Sequence, residues 1–98
     1  MMFSKPLRAG VASGAITCSV RVWKTPRVRV GARYSTGFGA IEITRLVEID
    51  PADVTPELAR QSGFASVAAL FEVARHGRGE RVFLVEFTYD AGDAVAES

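Results

Sequence analysis

Beyond Gly14 the chain alternates polar and apolar residues, and the polar set, Thr17, Ser19, Arg21 and Trp23, has types and spacing suited to holding a ligand. Residues two apart on an extended chain share a face, so this run presents two hydroxyls, a guanidinium and an indole in a row. Hydroxyls hydrogen-bond phosphate oxygens or base edges, a guanidinium fork pairs with phosphate, and an indole plane stacks on a base. Arg27 and Arg29 alternate with Val28 and Val30 and extend the positive field along a neighbouring strand. Binding of this kind needs no shifted pKa. The same residues also fit an architectural role. In that role Thr17 and Ser19 satisfy local backbone groups, Arg21 pairs with Glu42 or Glu86, and Trp23 covers one end of the core.

Several elements must position this row. Ser4 as N-cap, Pro6 in the first turn, Leu7 and Val11 four apart, and Gly14 as a stop predict a short N-terminal helix. Ile16 to Trp23 then reads as a strand, with Ile16, Cys18, Val20 and Val22 on its apolar face. Lys24-Thr25-Pro26 forms a turn, and Arg27-Val28-Arg29-Val30 alternates again up to Gly31. A short strand over Arg33 to Thr36 is closed by a turn at Gly37-Phe38-Gly39, where Phe38 either stacks on a ligand or plugs the core. Ala40 to Ile49 is a strand with Ile41, Ile43, Val47 and Ile49 on one side.

The middle of the chain is helical. Asp50-Pro51 and Thr55-Pro56-Glu57 each pair a cap with a proline at the first helical position, the second helix stopping at Gly63. Val67, Leu70, Phe71 and Ala74 recur at helical spacing, and their helix ends near His76 and Gly77, a loop exposed to solvent. Arg81 to Tyr89 is apolar on both faces, as befits a strand through the middle of a sheet, and Ala91 to Ser98 reads as a frayed tail. This order predicts one α+β domain over residues 1–98. Its sheet curls into a small β-barrel, with a short N-terminal helix and a helical insert before the last strand.

Length and composition bound the chemistry. A chain of 98 residues, 48% hydrophobic and 23% charged, has room for a single core. One cysteine excludes a disulfide framework and a multi-cysteine zinc site, and one histidine argues against a metal-dependent hydrolase, so neither metal nor cofactor is expected. Residues 1–45 carry eight basic side chains against Glu42 alone, a balance of +7, while residues 46–98 carry four arginines against ten acids, a balance of −6. Either the fold has a basic and an acidic side, or the halves neutralise one another across a contact. Lys5 and Arg8 precede a small-residue run too weakly apolar for a signal core, and Thr17 before Cys18 does not suit a lipoprotein anchor. No stretch reaches the roughly 18 to 20 apolar residues of a membrane span. A cytoplasmic protein with a buried, reduced Cys18 is expected.

Gly14-Ala15-Ile16-Thr17-Cys18-Ser19-Val20-Arg21 has a likeness that goes further. Taken with Trp23, Pro26, Gly31-Ala32-Arg33-Tyr34, Gly39, Ile41-Glu42 and Phe83-Leu84-Val85-Glu86-Phe87, it resembles the ASCH domain family, whose motif runs Gly-x-Lys-Thr-x-Thr-x-Arg after a short helix. The resemblance spans residues 6–89. It implies a PUA-like β-barrel and a cleft, beside the helical insert, that takes RNA or a nucleotide derivative through Thr17, Ser19, Arg21, Trp23, Arg27 and Arg29.

One branch of that family resembles amidohydrolases that deacylate N4-acetylcytidine using the motif lysine, the second motif threonine and an acid in the insert. Here Ile16 stands at the lysine position, Ser19 at the threonine position, and Ser62 about where the acid falls. A serine becomes a nucleophile only when a base takes its proton, and Ile16 has none to offer. Three functions follow in order: an RNA- or nucleotide-binding domain without catalysis, a small amidohydrolase with Ser19 in a rearranged set, and a non-catalytic module that binds another protein.

Overall fold

The computed structural model of the chain describes residue 3 and residues 5–74 and 81–90. The expected cap at Ser4, the loop with His76 and the tail over 91–98 lie outside the described residues. The elements run α1 (Lys5–Ser13), β1 (Cys18–Trp23), β2 (Arg33–Ser35), β3 (Ala40–Ile49), a 3₁₀ turn (Pro51–Asp53), α2 (Pro56–Gln61), α3 (Val67–Ala74) and β4 (Arg81–Asp90).

The four strands form one antiparallel sheet in the order β1-β4-β3-β2, curled into a half-barrel. β4 pairs with both β1 and β3 and is apolar on both faces. Val85 and Phe87 enter a first core with Phe3, Val11, Ile16, Val28, Ile41 and Ile43. Val82 enters a second with Val20, Val22, Val54, Ala59 and Leu70. The N-terminal helix therefore closes one face of the sheet and the helical insert the other. Each large side chain taken wholly out of water, such as Ile41, Ile43 or Leu70, contributes about 1.5 to 3 kcal/mol.

Strand β3 departs from the expected alternation. Its register on β4 moves from Ile43 opposite Phe87 to Arg45 opposite Glu86, leaving Thr44 as the extra residue of a bulge. One inserted residue reverses the phase of every side chain beyond it. Leu46 thereby joins Ile41 and Ile43 at the first core while Ile49 packs against the second, so Ile41, Ile43, Val47 and Ile49 do not share one side.

The expected strand over Arg27 to Val30 is absent. The segment is irregular, with Val28 buried and Val30 60% exposed, so alternation does not become a two-faced strand. Pro26 lacks an amide donor, and the amide nitrogen of Gly31 donates to the Ile43 carbonyl at 2.7 Å, where the chain turns at φ +87°.

The insert is held by caps read from the sequence. The Asp50 carboxylate accepts from the Ala52 amide at 2.9 Å, the Asp53 carboxylate accepts from the Asp50 amide at 3.2 Å, and Thr55 Oγ1 accepts from the Leu58 amide at 3.1 Å. α2 ends at Ser62, and Gly63 follows at φ +93°. A β-carbon on Gly63 would lie 2.6 Å from Leu7 Cδ2 and 2.7 Å from Ile16 Cδ1. The positive φ favours glycine there, and any larger residue would have to displace the ends of the Leu7 and Ile16 side chains.

Candidate nucleic-acid interface

Strand pairing decides where the polar row points. Ser19 lies opposite Val85, Arg21 opposite Phe83 and Trp23 opposite Arg81. Val85 belongs to the first core, so the row shares the sheet face that carries that core, and Phe3, Leu7 and Val11 crowd over it. Trp23 is half-buried against the core, its ring 5.8 Å from that of Phe83 at 38°. The Arg21 Nε–H donates to Ser19 Oγ at 2.7 Å, and its guanidinium carbon lies 5.3 Å from the centre of the Phe3 ring. Burial pulls the Arg21 pKa below its usual range, and a guanidinium stays charged all the same. Thr17 is exposed just before β1, and its carbonyl accepts from the Phe87 amide at 3.0 Å.

Ser19 and Arg21 border a pocket of about 60 Å³ with Phe3, Leu7, Val20, Phe64, Val73 and Ala74. It is far smaller than the roughly 300 Å³ at which small-molecule sites begin. Thr17 and Trp23 do not line it. The structure thus brings Ser19 and Arg21 together and leaves Thr17, Trp23, Arg27 and Arg29 outside that pocket.

Charge is arranged more simply than the halves of the sequence suggest. Arg33 pairs with Glu42 at 3.6 Å and Asp90 at 3.2 Å, Arg45 with Glu86 at 3.0 Å, and Arg81 with Glu48 at 2.8 Å. The Arg81 guanidinium, by its hydrogen bonds first and its charge second, holds the Glu48 carboxyl below the usual carboxylate range. Arg33 and Arg45 come from the basic half of the chain, while Asp90 and Glu86 come from the acidic half. Strand pairing therefore neutralises part of the polarity. Lys24, Arg27 and Arg29 are exposed and, among the described residues, lie in no ion pair. The loop that carries them is flanked by half-buried Trp23 and Tyr34, and the Tyr34 hydroxyl accepts from the Arg29 amide at 3.0 Å.

The residues at the family's catalytic positions fall apart in space. Ile16 is in the first core, Ser19 is on the same side of the sheet, and Ser62 is buried against Cys18 on the opposite side, Sγ to Oγ 3.5 Å. Burial pushes the Cys18 thiol up, the Ser62 hydrogen bond offsets part of this, and the Glu86 charge adds to the rise. Phe38 packs on Tyr89, centroids 5.6 Å apart and stacked, and the Tyr89 hydroxyl donates to the Phe38 carbonyl at 2.7 Å, so Phe38 closes the core. Sequence reasoning missed Phe3 as the floor under Arg21; a lone aromatic two residues from the start gave no periodic signal.

An open pocket of about 410 Å³ beside Glu48, Asp50 and Arg81 holds acids already engaged, Glu48 by Arg81 and Asp50 by the cap. Among the described residues no three of His, Cys, Asp and Glu converge as a metal site, and no helix is long and apolar enough to cross a membrane. No family model matches the chain, and no curated protein or solved structure matches it either.

Proposed function

We propose that the chain is a cytoplasmic, ASCH-like domain of PUA-like descent that binds single-stranded RNA or a nucleotide derivative without catalysis. The observation that carries this reading is the loop of Lys24, Arg27 and Arg29. It gathers three exposed cations within six residues with no acid partner among the described residues, whereas Arg33, Arg45 and Arg81 are each ion-paired and the other exposed cations outside ion pairs, Lys5, Arg8 and Arg60, lie on α1 and α2. Cationic side chains that neutralise phosphates displace the counterions condensed on the nucleic acid, and Trp23 and Tyr34 beside them supply planes for a base. The half-barrel and the insert between β3 and β4 agree with the architecture that the resemblance implies. The reading also includes Thr17, exposed just before β1, and Ser19 and Arg21, which lie along β1 away from the loop.

The amidohydrolase reading has less to rest on. Among the described residues that line its pocket, Ser19 has no carboxylate, imidazole or amine to take its proton. The test is fluorescence anisotropy of a labelled oligouridylate with the wild type and with Arg27→Ala and Arg29→Ala. Binding that weakens in both variants supports the proposal, and affinity unchanged in both removes it.

A further inference from the structure

Where β3 ends and β4 begins, Glu48, Ile49, Asp50, Pro51, Arg81 and Val82 line the open pocket of about 410 Å³, within the roughly 300 to 1,000 Å³ of small-molecule sites. It adjoins the basic loop. Arg81 lies opposite Trp23 in the pairing of β1 with β4, and its Nη1–H donates to the Lys24 carbonyl at 3.4 Å. Ile49, Pro51 and Val82 supply apolar wall, and the polar groups between them are of two kinds.

Glu48 and Asp50 are acceptors. Asp50 is extended, φ −76° and ψ 142°, so the two carboxylates, two residues apart, share a face. An ionised carboxylate offers about four lone-pair positions. Among the described residues Arg81 fills two on Glu48 and the Ala52 amide one on Asp50, so both groups keep acceptor capacity. Arg81 is the donor. Its guanidinium is held by Glu48, by the Lys24 carbonyl and by the Phe83 ring 5.0 Å away, and it carries N–H groups beyond those that these bonds use.

Two acceptors beside a fixed donor discriminate among base edges. Guanine alone presents two neighbouring donors, N1–H and the N2 amine, next to an acceptor, O6. Adenine and cytosine offer one donor group beside acceptors, and uracil sets its single donor between two carbonyls that a carboxylate repels.

We propose that this pocket takes a guanine base, its N1–H and N2 amine donating to the Glu48 and Asp50 carboxylates, its O6 accepting from Arg81, and its phosphate toward Lys24. This deepens the nucleic-acid reading. As a base within a strand it rests on the loop of Lys24, Arg27 and Arg29, and as a mononucleotide it rests on the pocket alone.

The first probe is a labelled oligouridylate compared by fluorescence anisotropy with the same strand carrying one central guanosine. The guanosine strand binds the wild type about tenfold tighter, and inosine, which lacks the N2 amine, loses most of that preference. The ratio falls to near one in Glu48→Gln and in Asp50→Asn, the second of which keeps a capping oxygen for the 3₁₀ turn. A ratio of two affinities on one sample is unmoved by any loss of folded protein. Equal binding of guanosine, adenosine and uridine strands overturns the inference, as does a preference that inosine retains or that both variants leave intact. The second probe is guanosine monophosphate, followed by amide NMR spectra of the full chain. The amides of Glu48, Asp50 and Val82 shift, and adenosine monophosphate leaves them in place. Oligouridylate binding with no guanosine preference and no such shifts removes the pocket and leaves the loop. Shifts with guanosine monophosphate in a chain that binds no oligonucleotide keep the pocket and remove the strand, and no response to either probe removes both readings.

Discussion

Arg21 donates its Nε–H to Ser19 Oγ at 2.7 Å, two residues back along the same face of β1. The bond and the Phe3 ring together hold the guanidinium in place and make a local pair of the two polar residues that border the small pocket. Ser19→Ala leaves the Arg21 donor without this acceptor in a half-buried place and lowers stability by about 1 kcal/mol. Urea unfolding reads this as a lower midpoint at an unchanged slope; an unaltered midpoint would mean that water serves Arg21 equally well.

Gly63 and Gly37 both have positive φ, +93° and +89°, but differ in surroundings. An alanine β-carbon at Gly63 would meet Leu7 and Ile16 inside 3 Å, whereas at Gly37 nothing lies within 4 Å. Gly37→Ala therefore costs only the conformational term, about 1 to 2 kcal/mol, and Gly63→Ala adds overpacking of about 1 to 3 kcal/mol more. Thermal melts of the two variants should rank in that order. Equal melting temperatures would show that α1 and the end of α2 are not tightly joined.

Burial of Cys18 predicts a pH dependence. The folded protein holds the thiol proton more tightly than the unfolded chain does, so the contribution is fully present below the ordinary thiol value of 9.0. It is lost as pH rises past that value toward the raised one. Denaturant midpoints should fall over this range in the wild type and stay flatter in Cys18→Ala. The native thiol should also react slowly with Ellman's reagent and quickly once urea is added.

The sequence and the structure agree where periodicity is strong and part where a single residue intervenes. α1, β1, β4 and the caps at Asp50 and Thr55 follow from local signals, because capping groups and alternating faces act within a few residues. Thr44 is different: nothing in its type marks a bulge, and only pairing with Glu86 and Phe87 shows that β3 changes phase there. Arg27 to Val30 alternates like a strand but pairs with no strand among the described residues, and the proline before it lacks a donor. The polar row from Ser19 to Trp23 was legible as a row. Its facing was not, since the side of a strand that meets the core depends on what folds over it, and here that is Phe3 and α1.

The loop of Lys24, Arg27 and Arg29 beside Trp23 carries the functional account, and its salt dependence is the direct measure. The affinity of the wild type for a labelled oligouridylate, taken across a series of salt concentrations, should fall linearly on logarithmic axes. In the Arg27→Ala/Arg29→Ala double variant the slope should flatten by about 0.7 for each phosphate contact removed, about 1.4 in all. A wild-type affinity indifferent to salt, or a slope the double variant leaves unchanged, would contradict the assignment of these cations to phosphate.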